Sequence, residues 1–300
     1  MKNCEYLCTR NQKNMPSTTD DIIRIDVGAV IRERLPRHYR YIPRWLIGLL
    51  ERMICQDKLN EMLEVNHGLK DADFCRGVLD HLEVTYEVTG AGNLPANGRA
   101  IFVCNHPLGG LDGMMLIDML TRRYGEGVKF LVNDLLMAIE PLKGVFVPVN
   151  KHGRQSREAK NAIDEALAGD APVIIFPAGL CSRKGKKGIV TDLKWHKMFV
   201  NKAISSRRDV IPLHFSGHNS KFFYNFANLR TLLHIPINLE MLRLPAEVFR
   251  SRGRRFTIEA GRPIAWQSLR GGADAERQAL DIRRIAYGLP AGASRRILTN

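Results

Sequence analysis

Ala100-Ile101-Phe102-Val103-Cys104-Asn105-His106-Pro107-Leu108-Gly109-Gly110-Leu111-Asp112-Gly113 is the stretch whose reading decides the fold. Its five leading apolar residues read as a buried strand. A glycine-rich turn follows, and it carries one histidine and one aspartate. Histidine titrates near neutral pH. A carboxylate beside it fixes the tautomer and stabilises the imidazolium once a proton has been taken. Gly109 and Gly110 relax the backbone, so that Asp112 can fold back toward His106. A base and its orienting acid at a strand end is one reading. A polar turn with a satisfied histidine is the other, and the rest of the chain has to decide between them.

Downstream of Tyr86 the same pattern recurs. The short apolar runs Ile101–Cys104, Val128–Val132, Val145–Val149, Val173–Phe176, Val210–Phe215 and Phe256–Ala260 alternate with helical stretches such as Met114 to Arg123 and Arg157 to Ala168. This predicts an α/β fold whose central sheet is mixed and mostly parallel, flanked by helices. In such sheets the loops leaving the strand ends build the site, which is where His106 falls.

Upstream, residues 1–20 read as a loose tail and 22–85 as a broken helical extension. Within it, Pro43 to Leu63 places Trp45, Leu46, Leu49, Leu50, Met53 and Ile54 on one stripe. The lead-in Arg37-His38-Tyr39-Arg40-Tyr41-Ile42-Pro43-Arg44-Trp45 interleaves basic and aromatic residues, a composition suited to an anionic bilayer. Ordinary packing of the stripe on a core is the plain alternative. The expected organisation is a membrane-docking region over 1–85, an α/β domain over 86–265 and a basic helical tail over 266–300. Residues 221–249, with Phe222, Phe223, Tyr224, Phe226 and a run of leucines and isoleucines, read as core, as the lining of a lipid-chain groove or as a membrane contact, with core packing the plainer reading.

With 300 residues, 45% of them hydrophobic and 25% charged, the chain has the means to bury a real core and is neither disordered nor an integral bundle. No run approaches the ~20 apolar residues of a membrane span. The first sixteen residues lack the apolar centre of a signal peptide. A cytoplasmic protein is expected, peripheral on the inner face of the membrane. Six cysteines without a CxxC pair suggest neither a disulfide framework nor a zinc ribbon, and no metal is expected. The net charge of +14 calls for an anionic partner: a phospholipid surface, an acidic protein or nucleic acid.

Three later segments follow His106 in order: Gly144-Val145-Phe146-Val147-Pro148-Val149-Asn150-Lys151, then Phe176-Pro177-Ala178-Gly179-Leu180-Cys181-Ser182-Arg183-Lys184, then Val210-Ile211-Pro212-Leu213. In the second, proline fixes φ and glycine lets backbone amides approach a ligand. Arg183, Lys184, Lys186 and Lys187 add a cationic rim, suited to a phosphate or carboxylate head group.

This ordered set, over about Val84 to Pro263, resembles the glycerolipid acyltransferase superfamily, the glycerol-phosphate and lysophosphatidic acid acyltransferases. That family carries an Asn-His plus Asp block, a Gly-rich strand block ending in a basic residue, a Phe-Pro-Glu-Gly block and a hydrophobic-Pro block. Here five residues separate His106 from Asp112 where the family has four. Ala178 replaces the glutamate of the third block, Arg183 is displaced along the chain, and Lys151 or Arg154 closes the second block. The resemblance implies His106 as general base and Asp112 as its orienting acid. It implies an acyl thioester on acyl carrier protein or coenzyme A as donor, a lyso-lipid hydroxyl as acceptor, and no cofactor. Asn105, Gly109, Gly110, Lys151, Phe176, Pro177, Gly179, Arg183 and Lys184 are the implied substrate-binding positions. The missing glutamate lies in the block that recognises glycerol phosphate in the family, which favours a lyso-aminolipid acceptor over lysophosphatidic acid.

Other classes have weaker support. No Gly-x-Ser-x-Gly elbow is present for a serine hydrolase. Cys181 paired with a histidine would make a cysteine nucleophile in a thioester or lipid hydrolase. His214 and His218 have metal-like spacing but no nearby carboxylate. Arg250-Ser251-Arg252-Gly253-Arg254-Arg255 and Arg295-Arg296 would suit a basic binding protein without catalysis, yet no nucleic-acid motif accompanies them, and no nucleic acid partner is expected.

Overall fold

The computed structural model describes residues 24–289 except 126, 150–156, 186 and 236, and for 134, 135, 157 and 158 the backbone alone. Lys151, Arg154, Lys186, Arg295, Arg296, Cys4, Cys8 and the tail over 1–20 lie outside the described residues. Four helices come first: α1 (Val27–Arg34), α2 (Arg44–Ile54), α3 (Gln56–Val65) and α4 (Asp71–His81). The sheet region follows with β1 (Thr85–Thr89), β2 (Ala100–Cys104), α5 (Gly110–Tyr124), β3 (Lys129–Asn133), β4 (Phe146–Val149), α6 (Arg157–Ala168) and β5 (Val173–Ile175). The chain continues through the hairpin β6 (Arg183–Lys184) and β7 (Val190–Thr191), then α7 (Met198–Ser206), β8 (Asp209–Phe215), α8 (Lys221–Leu232), α9 (Leu244–Arg250), β9 (Arg255–Ala260) and α10 (Ala275–Tyr287).

Seven strands form one sheet in the order β1-β9-β8-β2-β5-β3-β4. Every pairing is parallel except β8 with β9. The mixed, mostly parallel α/β architecture expected from the apolar runs is the one observed. β2 lies between β8 and β5, with Phe102 opposite Ile211 and Ile174, and all five of its residues are buried.

Alternation along the strands splits the core in two. Phe102, Cys104, Ile174, Ile211 and Leu213 face α4 and α5, packing on Phe74, Val78, Leu111, Met115 and Leu116. Ile101, Val103, Val173, Ile175 and Val210 face α6, α7 and α10, packing on Ile163, Phe199, Ala203, Ala279 and Ile282. A sheet covered on both faces needs apolar side chains throughout its central strands, which is why β2 shows no polar alternation.

Two boundaries differ from the sequence reading. α5 begins at Gly110, not near Met114, so Asp112 sits in a first helical turn and not in a loop. The reason is local: the chain bends through Pro107, Leu108 and Gly109, the last at φ +89°, a conformation glycine takes readily, and it becomes helical at the next residue. The stripe over Pro43 to Leu63 is two helices, broken at Cys55, which adopts the left-handed conformation at φ 55°. The α2 part is not core: none of its residues is fully buried, and Trp45 and Leu49 are exposed. Residues 221–249 divide likewise. Phe223 and Tyr224 are buried against Cys181, whereas Phe222, Leu229, Leu232, Leu233 and Ile237 face outward.

Candidate active site

The site grows from the end of β2. Asn105 is buried, and its side-chain amide donates to the carbonyl of Phe215 at 3.0 Å and accepts from that residue's N–H at 2.6 Å. This bidentate link imitates one more rung of the ladder to β8 after the strand pairing has ended. It fixes where the chain leaves the sheet, and so where the next residue points.

That residue is His106. Its Nδ1 lies 3.1 Å from Oδ2 of Asp112. Asp112 is fully buried, and its charge is met by two further donors: the N–H of Leu108 to Oδ2 at 3.0 Å and its neighbour Gly113's N–H to Oδ1 at 2.9 Å. Its place in the first turn of α5 adds the favourable end of the helix dipole. A carboxylate oxygen so placed accepts from a proton on Nδ1, which makes Nε2 the basic nitrogen of the neutral ring. The His106 side chain keeps 16% exposure, so the ring is neither sealed nor free. Burial works against its charged form, but the Asp112 carboxylate and, after it, the Cys181 sulfur beside the ring together hold the histidine well above its usual value.

Phe176 stacks on the imidazole, with centroids 4.0 Å apart and planes inclined by 21°. The next residues form a tight turn. Gly179, at φ +64°, donates its N–H to the carbonyl of Phe176 at 2.9 Å, and the Pro177 carbonyl accepts from the N–H of His196 at 3.0 Å. Gly109 needs its identity: a Cβ there would stand 2.9 Å from a Leu244 methyl and 3.2 Å from the Cys181 sulfur. At Gly110 a Cβ would meet nothing closer than 3.7 Å, so that position is not sterically required.

The cationic rim is more committed than the sequence suggests. Arg183 donates to Oε1 of Glu240 at 2.8 Å and to the Cys181 carbonyl at 2.9 Å. Glu240 is fully buried, and its other oxygen lies 2.8 Å from Nε of Arg230. Arg183 therefore ties the turn after Gly179 to the 239–243 segment, and the two arginines exceed the one carboxylate by a unit of positive charge. Lys184 is half-buried in β6, paired with Val190. Glu240, Ser182 and Asp192 went unnoticed in the sequence. The contacts that tie them into the site, Glu240 to Arg183, Ser182 to Asp192 and Asp192 to the His106 N–H, span 57, 10 and 86 residues, and no spacing rule joins them.

Among the described residues no group of His, Cys, Asp and Glu is arranged to hold a metal ion, and His214 is bonded instead to Glu259 at 2.9 Å. A concavity of about 420 Å³, lined by Lys194, His196, Lys197, Asn201, Lys202 and Glu276, opens on the α7 side. It adjoins the site through the His196–Pro177 bond, and its Glu276 is paired with Lys194 at 2.9 Å.

A doubly covered α/β sheet that presents a carboxylate-held histidine at the end of a central strand is an arrangement for general acid–base chemistry. The chain belongs to the acyltransferase family, whose profile, described as "Acyltransferase", matches residues 29–293. It is an acyltransferase. A protein of Phocaeicola vulgatus named lyso-glycine lipid O-acyltransferase is 40% identical over 279 residues, covering 93% of this chain and all of that protein. A protein of Bacteroides thetaiotaomicron with the same name is 40% identical over 272 residues, covering 91% of this chain and all of its own. Among solved structures, the 1-acyl-sn-glycerophosphate (LPA) acyltransferase PlsC of Thermotoga maritima covers 82% of this chain and 91% of that one, at 16% identity and a TM-score of 0.43.

Proposed function

We propose that this chain moves a fatty acyl group from a thioester, on acyl carrier protein or coenzyme A, to the hydroxyl of a lyso-aminolipid of the lyso-glycine type. The observation that carries the chemistry is the His106–Asp112 pair. His106 takes the hydroxyl proton as the oxygen attacks the thioester carbonyl. Asp112 keeps the ring in the productive tautomer and offsets its charge. Collapse of the tetrahedral intermediate breaks the carbon–sulfur bond, and the leaving thiolate recovers the proton from the imidazolium. The products are an O-acyl ester and a free thiol, with no acyl-enzyme and no cofactor.

The acceptor assignment rests on the names of the two 40%-identical relatives and on two features of this chain. Ala178 stands where the resembled family has its glutamate, and the surplus positive charge of Arg183 and Arg230 over Glu240 favours an anionic head group such as a carboxylate. Lys184 follows Arg183 in β6 and adds a further cation next to it.

The reaction is assigned to an anionic membrane surface, on the cytoplasmic side. Tyr41, Trp45, Leu49, Leu229, Leu232, Leu233 and Ile237 expose large apolar side chains, and exposed Arg37, Arg40 and Arg44 flank the first of them. No helix among the described residues is long and apolar enough to cross a membrane.

A second reading has one observation behind it: the reach of the Cys181 thiol to His106 would let sulfur accept the acyl group first. The thiol is fully buried, which denies a bulky thioester access, and direct transfer is the better fit.

The test is acyl transfer by the purified protein in detergent–lipid micelles, with acyl carrier protein and coenzyme A thioesters and either lyso-glycine lipid or lysophosphatidic acid. Diacylated glycine lipid as the preferred product supports the proposal. Transfer to lysophosphatidic acid alone overturns the acceptor assignment.

A further inference from the structure

Behind the catalytic pair lies a second buried carboxylate. Asp192 follows β7 and is 5% exposed. Its Oδ1 accepts the backbone N–H of His106 at 3.1 Å and the hydroxyl of Ser182 at 2.6 Å. Its Oδ2 accepts the indole N–H of Trp195 at 2.8 Å. The Asp192 main chain is held as well: its N–H donates to the Tyr287 hydroxyl at 2.7 Å, and its carbonyl accepts from Arg283 at 3.0 Å.

Ser182 completes the arrangement. Its N–H donates to the carbonyl of His106 at 2.7 Å. Both backbone polar groups of His106 are thus fixed to one small body, the N–H by Asp192 and the carbonyl by Ser182, which is itself bonded to Asp192. Asp112 approaches from the α5 side of the sheet. Asp192 sits with Trp195, which belongs to the opposite core. The base is held from two sides, its ring by one carboxylate and its backbone by the other.

A buried carboxylate is costly to desolvate and is kept only where donors meet it. Here three donors converge on two oxygens, and one of them is the main chain of the proposed base. Rotation of that peptide would turn the ring and lengthen the 3.1 Å contact between Nδ1 and Asp112. Misplacement of a catalytic group by about 1 Å costs on the order of 10²-fold in rate.

We infer that Asp192 is a positioning residue for acyl transfer, holding the His106 backbone so that its ring meets Asp112, and tying the base to α10 through Tyr287 and Arg283. The inference rests on the proposed role of His106 and adds a residue that touches neither substrate nor imidazole.

Asp192→Asn tests it. One acceptor oxygen becomes an NH₂ group, which must face either the Trp195 indole or the donors of His106 and Ser182. The expected result is a fall in kcat on the order of 10- to 100-fold, with KM for donor and acceptor within about three-fold. The acid limb of the pH–rate profile should also move to lower pH, because a ring loosened from Asp112 loses the interaction that raises it. A merely structural role would scale the rate equally at every pH and leave the limb in place, and that outcome overturns the inference. So does an unchanged kcat. Ser182→Ala, which keeps the carboxylate and removes one donor, should show the same direction at smaller size and serves if the asparagine variant fails to fold. If His106→Ala retains activity, the proposed function has failed, which is distinct from an active-site base that tolerates Asp192→Asn.

Discussion

The ring of Phe176 lies flat on the imidazole of His106, 4.0 Å between centroids, and so joins the end of β5 to the turn that follows β2. The stack leaves the ring two constraints, an aromatic face on one plane and Asp112 at Nδ1. An imidazolium on an aromatic face is favoured by the ring quadrupole, which helps the charge that appears when the hydroxyl proton is taken. Phe176→Leu keeps an apolar, somewhat smaller side chain and removes both effects. It should lower kcat about ten-fold, in line with the ~0.5–2 kcal/mol such contacts contribute. Steady-state kinetics on a variant shown to be folded, at a temperature well below its thermal midpoint, checks this.

Asp112→Asn removes the charge that raises His106 and replaces an acceptor with a mixed donor–acceptor. The ring then loses its fixed tautomer, and kcat should fall by at least ~10²-fold. What activity remains should have its acid limb displaced to lower pH than in the parent protein. A residual rate with an unmoved limb would mean that another base is at work.

The raised position of His106 predicts opposite pH trends for rate and stability. Catalysis needs the neutral ring, so kcat/KM should fall as pH drops through a value above the ordinary histidine pKa of about 6.5. The folded pKa exceeds the unfolded one, so the pair's contribution to stability is full below about pH 6.5 and is lost as pH rises through the folded value. Activity profiles and denaturant unfolding measured across the same pH range should therefore slope in opposite directions. Rates that are flat from pH 6 to 9 would remove His106 as the titrating base.

Gly109→Ala should be costly in a way that Gly110→Ala is not. The first places a Cβ at φ +89° and 2.9 Å from Leu244, while the second meets only open neighbours. A loss on the order of 1–3 kcal/mol is expected at Gly109, together with a displaced His106 turn. Urea unfolding of the two variants side by side is the measurement, and equal stability would deny the strain.

Glu240→Ala leaves Arg183 and Arg230 facing each other with no counter-ion. Removing one partner of a buried ion group typically costs about 3–5 kcal/mol, and chemical denaturation should register it. Cys181→Ala, by contrast, should keep acyl transfer within a few-fold of the parent, since the thiol is not used in direct transfer.

Much of this was legible in the sequence because the central strands are buried on both faces and leave unbroken apolar runs. The runs at Ile101, Val173 and Val210 announce β2, β5 and β8. β1 escaped notice because Thr85-Tyr86-Glu87-Val88-Thr89 is an edge strand whose alternating burial carries little apolar signal. β6 and β7 are two residues each and carry no periodicity at all. The pair His106 and Asp112 could be read from spacing within one turn. Arg183 could be read as cationic but not as spoken for, since Glu240 stands 57 residues away and only the folded chain brings them together. Asp192 has the same difficulty: what marks it is the backbone N–H of His106, and backbone partners leave no trace in side-chain patterns.

The most direct measurement is the rate of acyl transfer by His106→Ala, with folding verified by circular dichroism and a thermal midpoint close to the parent's. A loss of at least ~10²-fold in kcat is expected for removal of a general base. A folded variant that still acylates lipid hydroxyls within a few-fold of the parent would contradict the assignment of the chemistry to this imidazole.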